Sequence, residues 1–277
     1  MKNRILNTAL QPNQIGLFYL GQVGFLLKYQ NLYFAVDPYL TDYVDRNCCR
    51  ETVIWNRRYP APMEPSDLDF VDYVFCTHAH SDHADPDTLS VIARVNPKAK
   101  FLVSAAITNE IAACGIPAER IVGLPTDKPT VLTNDIQVTA IPSAHEELHQ
   151  NANGDYEEVG FVFQFGNTLL YHSGDCCPYS GLEERVKGCH IMILPVNGRD
   201  YYRTQVQNII GCFTSREAIL LAKHAGARLL IPAHFDLYDI NCLNPAQFVD
   251  DLKQLNPAQA FHMFTPGEGY VYDPGIG

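Results

Sequence analysis

The apolar residues of the first forty positions come in short runs separated by glycine and polar turns. Ile15-Gly16-Leu17-Phe18-Tyr19-Leu20, Gly24-Phe25-Leu26-Leu27-Lys28-Tyr29 and Leu32-Tyr33-Phe34-Ala35-Val36 each have strand length, and Tyr29-Gln30-Asn31-Leu32 reads as a tight turn. Together they predict a β-meander that ends at Asp37. From Tyr39 to Asp69 no period is kept, and Pro60, Pro62 and Pro65 interrupt the chain. This stretch predicts a long loop, and loops of that length inside compact domains often serve as functional lids. Tyr73-Val74-Phe75-Cys76 then reads as a buried strand.

The pattern next turns helical. Asp85 precedes Pro86 as an N-cap before a first-turn proline, and Leu89, Ile92, Ala93 and Val95 follow at roughly helical spacing. Short strands are predicted over 99–103, 120–122 and 136–141, with a helix over 106–114. The runs 161–165 and 168–172, joined at Gly166-Asn167, predict a hairpin. The runs 191–195 and 229–232 are nearly continuous and apolar, as in strands buried on both faces. Between them Thr214-Ser215-Arg216-Glu217 forms a capping box for a helix through Ala225, and Asn244-Pro245-Ala246-Gln247 predicts the same for a last helix ending near Leu255. Two strand-rich blocks, each followed by helices, predict an α/β protein of four layers, with two sheets face to face and helices outside. No linker or composition break divides the chain, so residues 1–277 are expected to form a single domain.

Composition narrows the function classes. The 277 residues are 47% hydrophobic and 18% charged, which supports a sizeable core and argues against disorder. The net charge is −11 and the Lys and Arg residues are scattered, so a nucleic-acid partner held by phosphate contacts is not expected. No apolar run reaches membrane-spanning length, so no membrane partner is expected. The nine cysteines are odd in number, show no CxxC spacing and follow no export signal; they read as reduced thiols of a cytoplasmic protein. A homo-oligomer is compatible with the chain.

Chemistry is concentrated just beyond the strand at Tyr73. After Thr77, the six residues His78-Ala79-His80-Ser81-Asp82-His83 hold three imidazoles and a carboxylate. Burying such rings without partners is costly, whereas a hydrolytic metal centre needs this density of nitrogen and oxygen donors. Further polar groups stand just past apolar runs: Asp37 after Val36, His145 after the 136–141 strand, Asp175 after the 168–172 strand, and His234 after the 229–232 strand. Strand ends along one sheet edge are where sites are assembled from distant parts of a chain.

His78-x-His80-x-Asp82-His83, followed in order by His145, Asp175 and His234 and preceded by Asp37, resembles the metallo-β-lactamase superfamily of metal-dependent hydrolases. The resemblance extends from Leu17 to His262. It implies an αβ/βα sandwich with a binuclear centre at one edge. His78, His80 and His145 would hold one divalent ion, and Asp82, His83 and His234 the other, with Asp175 bridging and Asp37 orienting one of the ligands. Asp82 and Asp175 would be the catalytic carboxylates, Asp82 as a proton relay. This ligand set contains no thiolate, so zinc, manganese and iron all suit it. Pro195-Val196-Asn197-Gly198-Arg199-Asp200, Arg216-Glu217-Ala218 and Ile231-Pro232-Ala233-His234-Phe235-Asp236 resemble the L-ascorbate-6-phosphate lactonase branch.

That resemblance implies a small anionic, sugar-derived lactone as substrate. Arg199 and Arg203, flanking Tyr201-Tyr202, are candidates to pin its phosphate or carboxylate, with Tyr202 beside them. Surface pairing with the acidic excess is the alternative for both arginines. Trp55, Arg57, Arg58 and Tyr59 of the long loop are candidates to close over a ligand, with a solvated loop holding one buried aromatic as the preferred alternative. His149 and Glu147, just after His145, are candidates to touch substrate, with a surface turn as the preferred reading, and His172, His190, His224 and His262 are expected to be non-ligands. Hydrolysis of a small phosphodiester or cyclic nucleotide is the alternative chemistry, and a non-catalytic metal-binding scaffold or sensor the alternative class.

Overall fold

Each half of the chain folds first into antiparallel hairpins and then into parallel crossovers. The computed structural model describes residues 1–275; the last two residues of the expected domain lie outside the described residues. In the first half, β1 (Ile15–Gly21), β2 (Gly24–Tyr29) and β3 (Leu32–Val36) form the predicted meander. β4 (Tyr73–Cys76), β5 (Lys100–Ser104) and β6 (Ile121–Leu124) then add in parallel to β3. In the second half, β7 (Pro129–Thr133), β8 (Ile136–Pro142), β9 (Val159–Phe165) and β10 (Thr168–His172) are antiparallel, and β11 (Ile191–Pro195), β12 (Leu229–Ala233) and β13 (Ala260–Phe261) continue in parallel. β14 (Gly269–Tyr272) returns to pair with β1, giving two seven-stranded sheets.

Strands buried on both faces explain the unbroken apolar runs. In β1, Ile15, Leu17 and Tyr19 enter the core between the sheets, while Phe18 and Leu20 enter the core on the outer face. Aromatic rings from both sheets fill the centre: Phe163 packs 4.9 Å from Phe75 edge-on and stacks 5.7 Å from Phe165. The helix Pro86–Val95 covers the first sheet through Leu89 and Ile92. The helices Ser215–Ala225 and Pro245–Leu255 cover the second through Ile219, Ala222, Phe248 and Leu252. The expected four-layer αβ/βα arrangement is therefore the observed one.

The caps follow the sequence closely. Asp85 accepts from the Asp87 backbone N–H, and Thr214 and Glu217 form a reciprocal box. Asn244 caps its helix by accepting from Ala246 N–H, with no return bond from Gln247. The helix expected over 106–114 is a 3₁₀ turn, Ala105–Ile107, running into a short α-helix, Thr108–Ala113.

The segment from Tyr39 to Asp69 differs from the expected loop. It contains a helix, Tyr43–Asn47, and a 3₁₀ turn, Pro65–Leu68. It is fastened to the loop that follows β12: the Tyr39 and Tyr238 hydroxyls are 2.7 Å apart, and Tyr238 also donates to Asp45 at 2.9 Å. Tyr39, Val44, Leu237 and Tyr238 form a small buried cluster against which Trp55 and Tyr59 pack. A segment that shares a small core and tyrosine bonds with the loop after β12 is a wall rather than a free flap. Among the described residues no helix is long and apolar enough to cross a membrane, and the nine cysteines are free thiols.

Phe163 is wholly buried between the sheets. Its replacement by alanine is predicted to cost about 3–5 kcal/mol of stability, measured by urea denaturation. A loss below about 1 kcal/mol would contradict this account of the inter-sheet core.

Candidate metal centre

The site begins with a buried carboxylate. Asp37 ends β3 in a left-handed conformation, φ 45, and its backbone N–H donates to Phe75 O at 2.9 Å. Its Oδ1 accepts from Thr77 N–H at 2.8 Å and its Oδ2 from the Thr77 hydroxyl at 2.7 Å. The same Oδ2 lies 2.9 Å from His83 Nδ1. With that nitrogen donating to Asp37, Nε2 of the ring faces the site. Thr77 is in turn crowded by Gly174: a Cβ there would come within 2.6 Å of the Thr77 side chain, and φ is +59. Glycine at 174 therefore lets the loop carrying Asp175 close over the loop carrying the histidines.

Five imidazoles and two carboxylates converge from four strand ends. One group joins His78, His80 and His145; another joins Asp82, His83 and His234, with the donor atoms of each group within 4.8 Å of one another. His78 Nε2 is 3.0 Å from His80 Nδ1. Asp175 stands between the groups, its Oδ1 3.4 Å from His83 Nε2 and its Oδ2 3.3 Å from His234 Nε2 and 3.6 Å from His145 Nε2. Asp82 Oδ2 is 3.7 Å from both His83 Nε2 and His234 Nε2. Most of these separations are too long for good hydrogen bonds, but they match atoms sharing an ion at about 2.0–2.2 Å.

The protonation behaviour has the same cause. Burial opposes charge on His83 and His234, but Asp175 and Asp82 outweigh it, raising His234 to about 9 and His83 well above its usual value. Burial also works against charge on Asp82 and Asp175; His83 and His234 more than compensate, and both carboxyls sit below their usual range. Desolvation, together with the neighbouring rings, keeps His78 low, and burial lowers His145 to about 4. The anionic carboxylates thus draw protons onto His83 and His234, positive charge that a bound divalent cation would supply in their place, while His78 and His145 stay neutral with lone pairs available. His83 Nε2 and Asp175 Oδ1 are buried without any hydrogen-bond partner, a costly state that a bound cation would relieve. The residues fit divalent metal.

Two groups near the cluster carried no sequence signal strong enough to single them out. Gln22, in the turn between β1 and β2, places its Nε2 2.8 Å from Asp82 Oδ2 and 3.1 Å from His234 Nε2. The only clue was a polar residue between Gly21 and Gly24 in an otherwise apolar hairpin. Cys212 brings a buried thiol within bonding reach of an ion shared by His145 and Asp175, so a sulfur does border the site. Burial, then Asp175, keeps that thiol well above its usual pKa.

The cleft over the cluster is lined by Trp55, Asn208, Ile209, Ile210 and Asn241. The arginines expected to bind substrate are otherwise engaged. Arg199 donates to Glu217 Oε1 and to Cys212 O, both at 2.7 Å, and borders a separate hollow with Glu146 and Cys177. Arg203 pairs with Asp200 and donates to Asn241 Oδ1 at 3.0 Å, so it meets the cleft only through that asparagine. Tyr202 is exposed, its hydroxyl accepting from Gln207. His172 donates to Val23 O and accepts from Gly174 N–H, a structural tie between the end of β10 and the turn joining β1 and β2. His149, His190, His224 and His262 also bond away from the cluster. A larger hollow, lined in part by Arg228, Asn256 and Tyr270, opens at the start of β12, away from the strand ends that build the site.

Asp37→Asn would keep the shape but turn an acceptor of His83 and Thr77 into a donor. It is predicted to weaken metal binding about 10–100-fold, measured by competition with a chelator. Unchanged affinity would remove Asp37 from the orienting role.

The beta-lactamase superfamily domain matches residues 34–235. The chain is 29% identical to a UPF0173 metal-dependent hydrolase of Methanoculleus marisnigri over 77% of this chain and 84% of that one. It is 23% identical to another from Caldivirga maquilingensis over 91% and 96% respectively. Among solved structures, a metallo hydrolase from Ignicoccus hospitalis superposes with a TM-score of 0.69 at 18% identity, covering 94% of this chain and 99% of that one. A possible metal-dependent hydrolase from Veillonella parvula gives 0.72 at 16% identity, covering 92% and 98%. Strand order, the two-sheet sandwich and the family match over most of the sequence agree: the chain belongs to the beta-lactamase superfamily.

Proposed function

We propose that the chain is a metal-dependent hydrolase acting on a small lactone, with two divalent ions held by His78, His80 and His145 and by Asp82, His83 and His234, and with Asp175 shared between them. The observation that carries this reading is the position of Asp175, whose two oxygens face the donor nitrogens of both groups. The names of the curated relatives, metal-dependent hydrolases, support the reaction class. Zinc, manganese and iron all suit the imidazole and carboxylate donors. Bound divalent metal would acidify a water molecule near neutral pH and polarise a substrate oxygen.

The chain's own residues then supply orientation and exclusion of water. Asp37 holds His83 with Nε2 inward, so this ring needs no reorganisation on loading. Trp55, Ile209 and Ile210 give the cleft an apolar side, and Asn208 and Asn241 give it amides suited to the hydroxyls of a small polar ring. Asp82, partly open to the cleft, is the carboxylate placed to pass a proton to a leaving alkoxide. Its depressed pKa makes it a weak base. No lysine or arginine lines the cleft among the described residues, so a phosphorylated substrate would draw its anion binding from the metal centre rather than from Arg199, Tyr202 or Arg203.

A panel of lactones and p-nitrophenyl phosphodiesters, assayed after zinc, manganese or iron loading, tests the reaction class. Lactone turnover that falls at least about 100-fold in His80→Ala is expected. Phosphodiester turnover without lactone turnover would overturn the lactone reading. Asp175→Ala is predicted to lower the occupancy of both ions in elemental analysis; two ions retained tightly would refute a shared Asp175.

A further inference from the structure

Gln22 lies before the segment that matches the family domain, yet the fold fixes it against the metal-binding cluster. Its backbone is in the left-handed region, φ 59, which a side chain other than Gly, Asn or Asp rarely adopts. Three hydrogen bonds hold it there. Its N–H donates to the Tyr59 hydroxyl at 3.3 Å, and its carbonyl accepts from the Tyr19 hydroxyl at 2.9 Å and from His234 N–H at 2.7 Å. Gly24 brings the same turn against Asp37, where a Cβ would come within 2.6 Å of the backbone carbonyl. The side chain is 2% exposed. Such anchoring aims one amide at one place.

That place is the coordination space of Asp82 and His234. The amide tip is 2.8 Å from Asp82 Oδ2 and 3.1 Å from His234 Nε2. Two atoms bound to one ion at about 2.1 Å are separated by about 3.0 Å at a right angle and about 3.4 Å at the tetrahedral angle. With the nitrogen inward, the Gln22 amide donates to Asp82 Oδ2 and stands against His234 Nε2, in the space that a cation bound to both would take. A half-turn about the last side-chain bond exchanges Nε2 for Oε1 without moving any other atom, and puts a carbonyl oxygen where the donor stood. Amide oxygens are established ligands of hard divalent cations.

We propose that Gln22 Oε1 is a further protein ligand of the cation held by Asp82, His83 and His234, and that its amide turns over when this ion binds. The proposal rests on the two-ion reading above. It also makes the two positions unlike. Three imidazoles serve one, while carboxylate and amide oxygens accompany the imidazoles at the other, a set that moves preference from zinc toward manganese or iron.

Titration of metal-free protein with Mn(II), followed by electron paramagnetic resonance, reads the oxygen-rich position, and Zn(II) stoichiometry reads the three-histidine position. Gln22→Ala should weaken manganese binding about 10–100-fold and leave the three-histidine position unchanged. Gln22→Asn, which keeps a left-handed-compatible backbone but shortens the arm, should do the same and preserves the test should Gln22→Ala not fold. Gln22→Glu should bind manganese at least as tightly as the parent, because it retains an oxygen ligand. If Gln22 instead acts only by donating to Asp82, a carboxylate facing a carboxylate makes Gln22→Glu worse than Gln22→Ala. That result, or parental manganese affinity in Gln22→Ala, would overturn the proposal. A parent protein that takes up only one ion would sink the two-ion reading itself, and this proposal with it.

Discussion

The site depends on one buried carboxylate that ties two strand ends together. Asp37 leaves β3 in a left-handed conformation and accepts from the backbone and hydroxyl of Thr77, the first residue after β4. The same carboxylate orients His83. Without it, Thr77 and His83 would carry buried donors with no acceptor, each a substantial cost. The adjacent parallel pairing of β3 and β4 sets the spacing that lets one side chain reach all three donors. The Asp82–His83 side of the cluster is thus fastened to the sheet rather than to a mobile loop.

The rest of the site comes from the second sheet in the same way. β8, β10 and β12 lead into His145, Asp175 and His234, all emerging at the edge where the first sheet presents its histidines. The apolar core between the sheets fixes their relative position through the stacked phenylalanines. Stability and chemistry are therefore coupled: the phenylalanine layer joins the two sheets whose strand ends carry the groups of the site. The result is a cluster at the floor of a cleft in which His83 Nε2 and Asp175 Oδ1 are buried without partners, a state that folding disfavours and cation binding would relieve.

Much of this was legible in the chain. Strands buried on both faces appear as unbroken apolar runs, and each functional carboxylate or imidazole stands just past one of them. What escaped has physical reasons. β7 is mostly exposed or half-buried and begins with proline at a sheet edge, so it lacks an apolar signature. β13 and β14 are short and only partly buried. The Tyr39–Asp69 segment shows no period because its order comes from side-chain pairs with a distant loop, such as Tyr39 with Tyr238. Gln22 was hidden for the same reason: its placement arises from a backbone conformation and from Tyr59 and His234, both remote in sequence. Arg199 and Arg203, read as candidate substrate anchors, pair with Glu217 and Asp200, an arrangement that the local sequence does not rank above a ligand.

Anomalous diffraction at the metal edge, from crystals of the metal-loaded protein, tests the central claim most directly. The account predicts two peaks about 3.5–4 Å apart on either side of Asp175, one against His78, His80 and His145 and the other against Asp82, His83 and His234. Peaks elsewhere on the molecule, or none within bonding distance of Asp175, would contradict it.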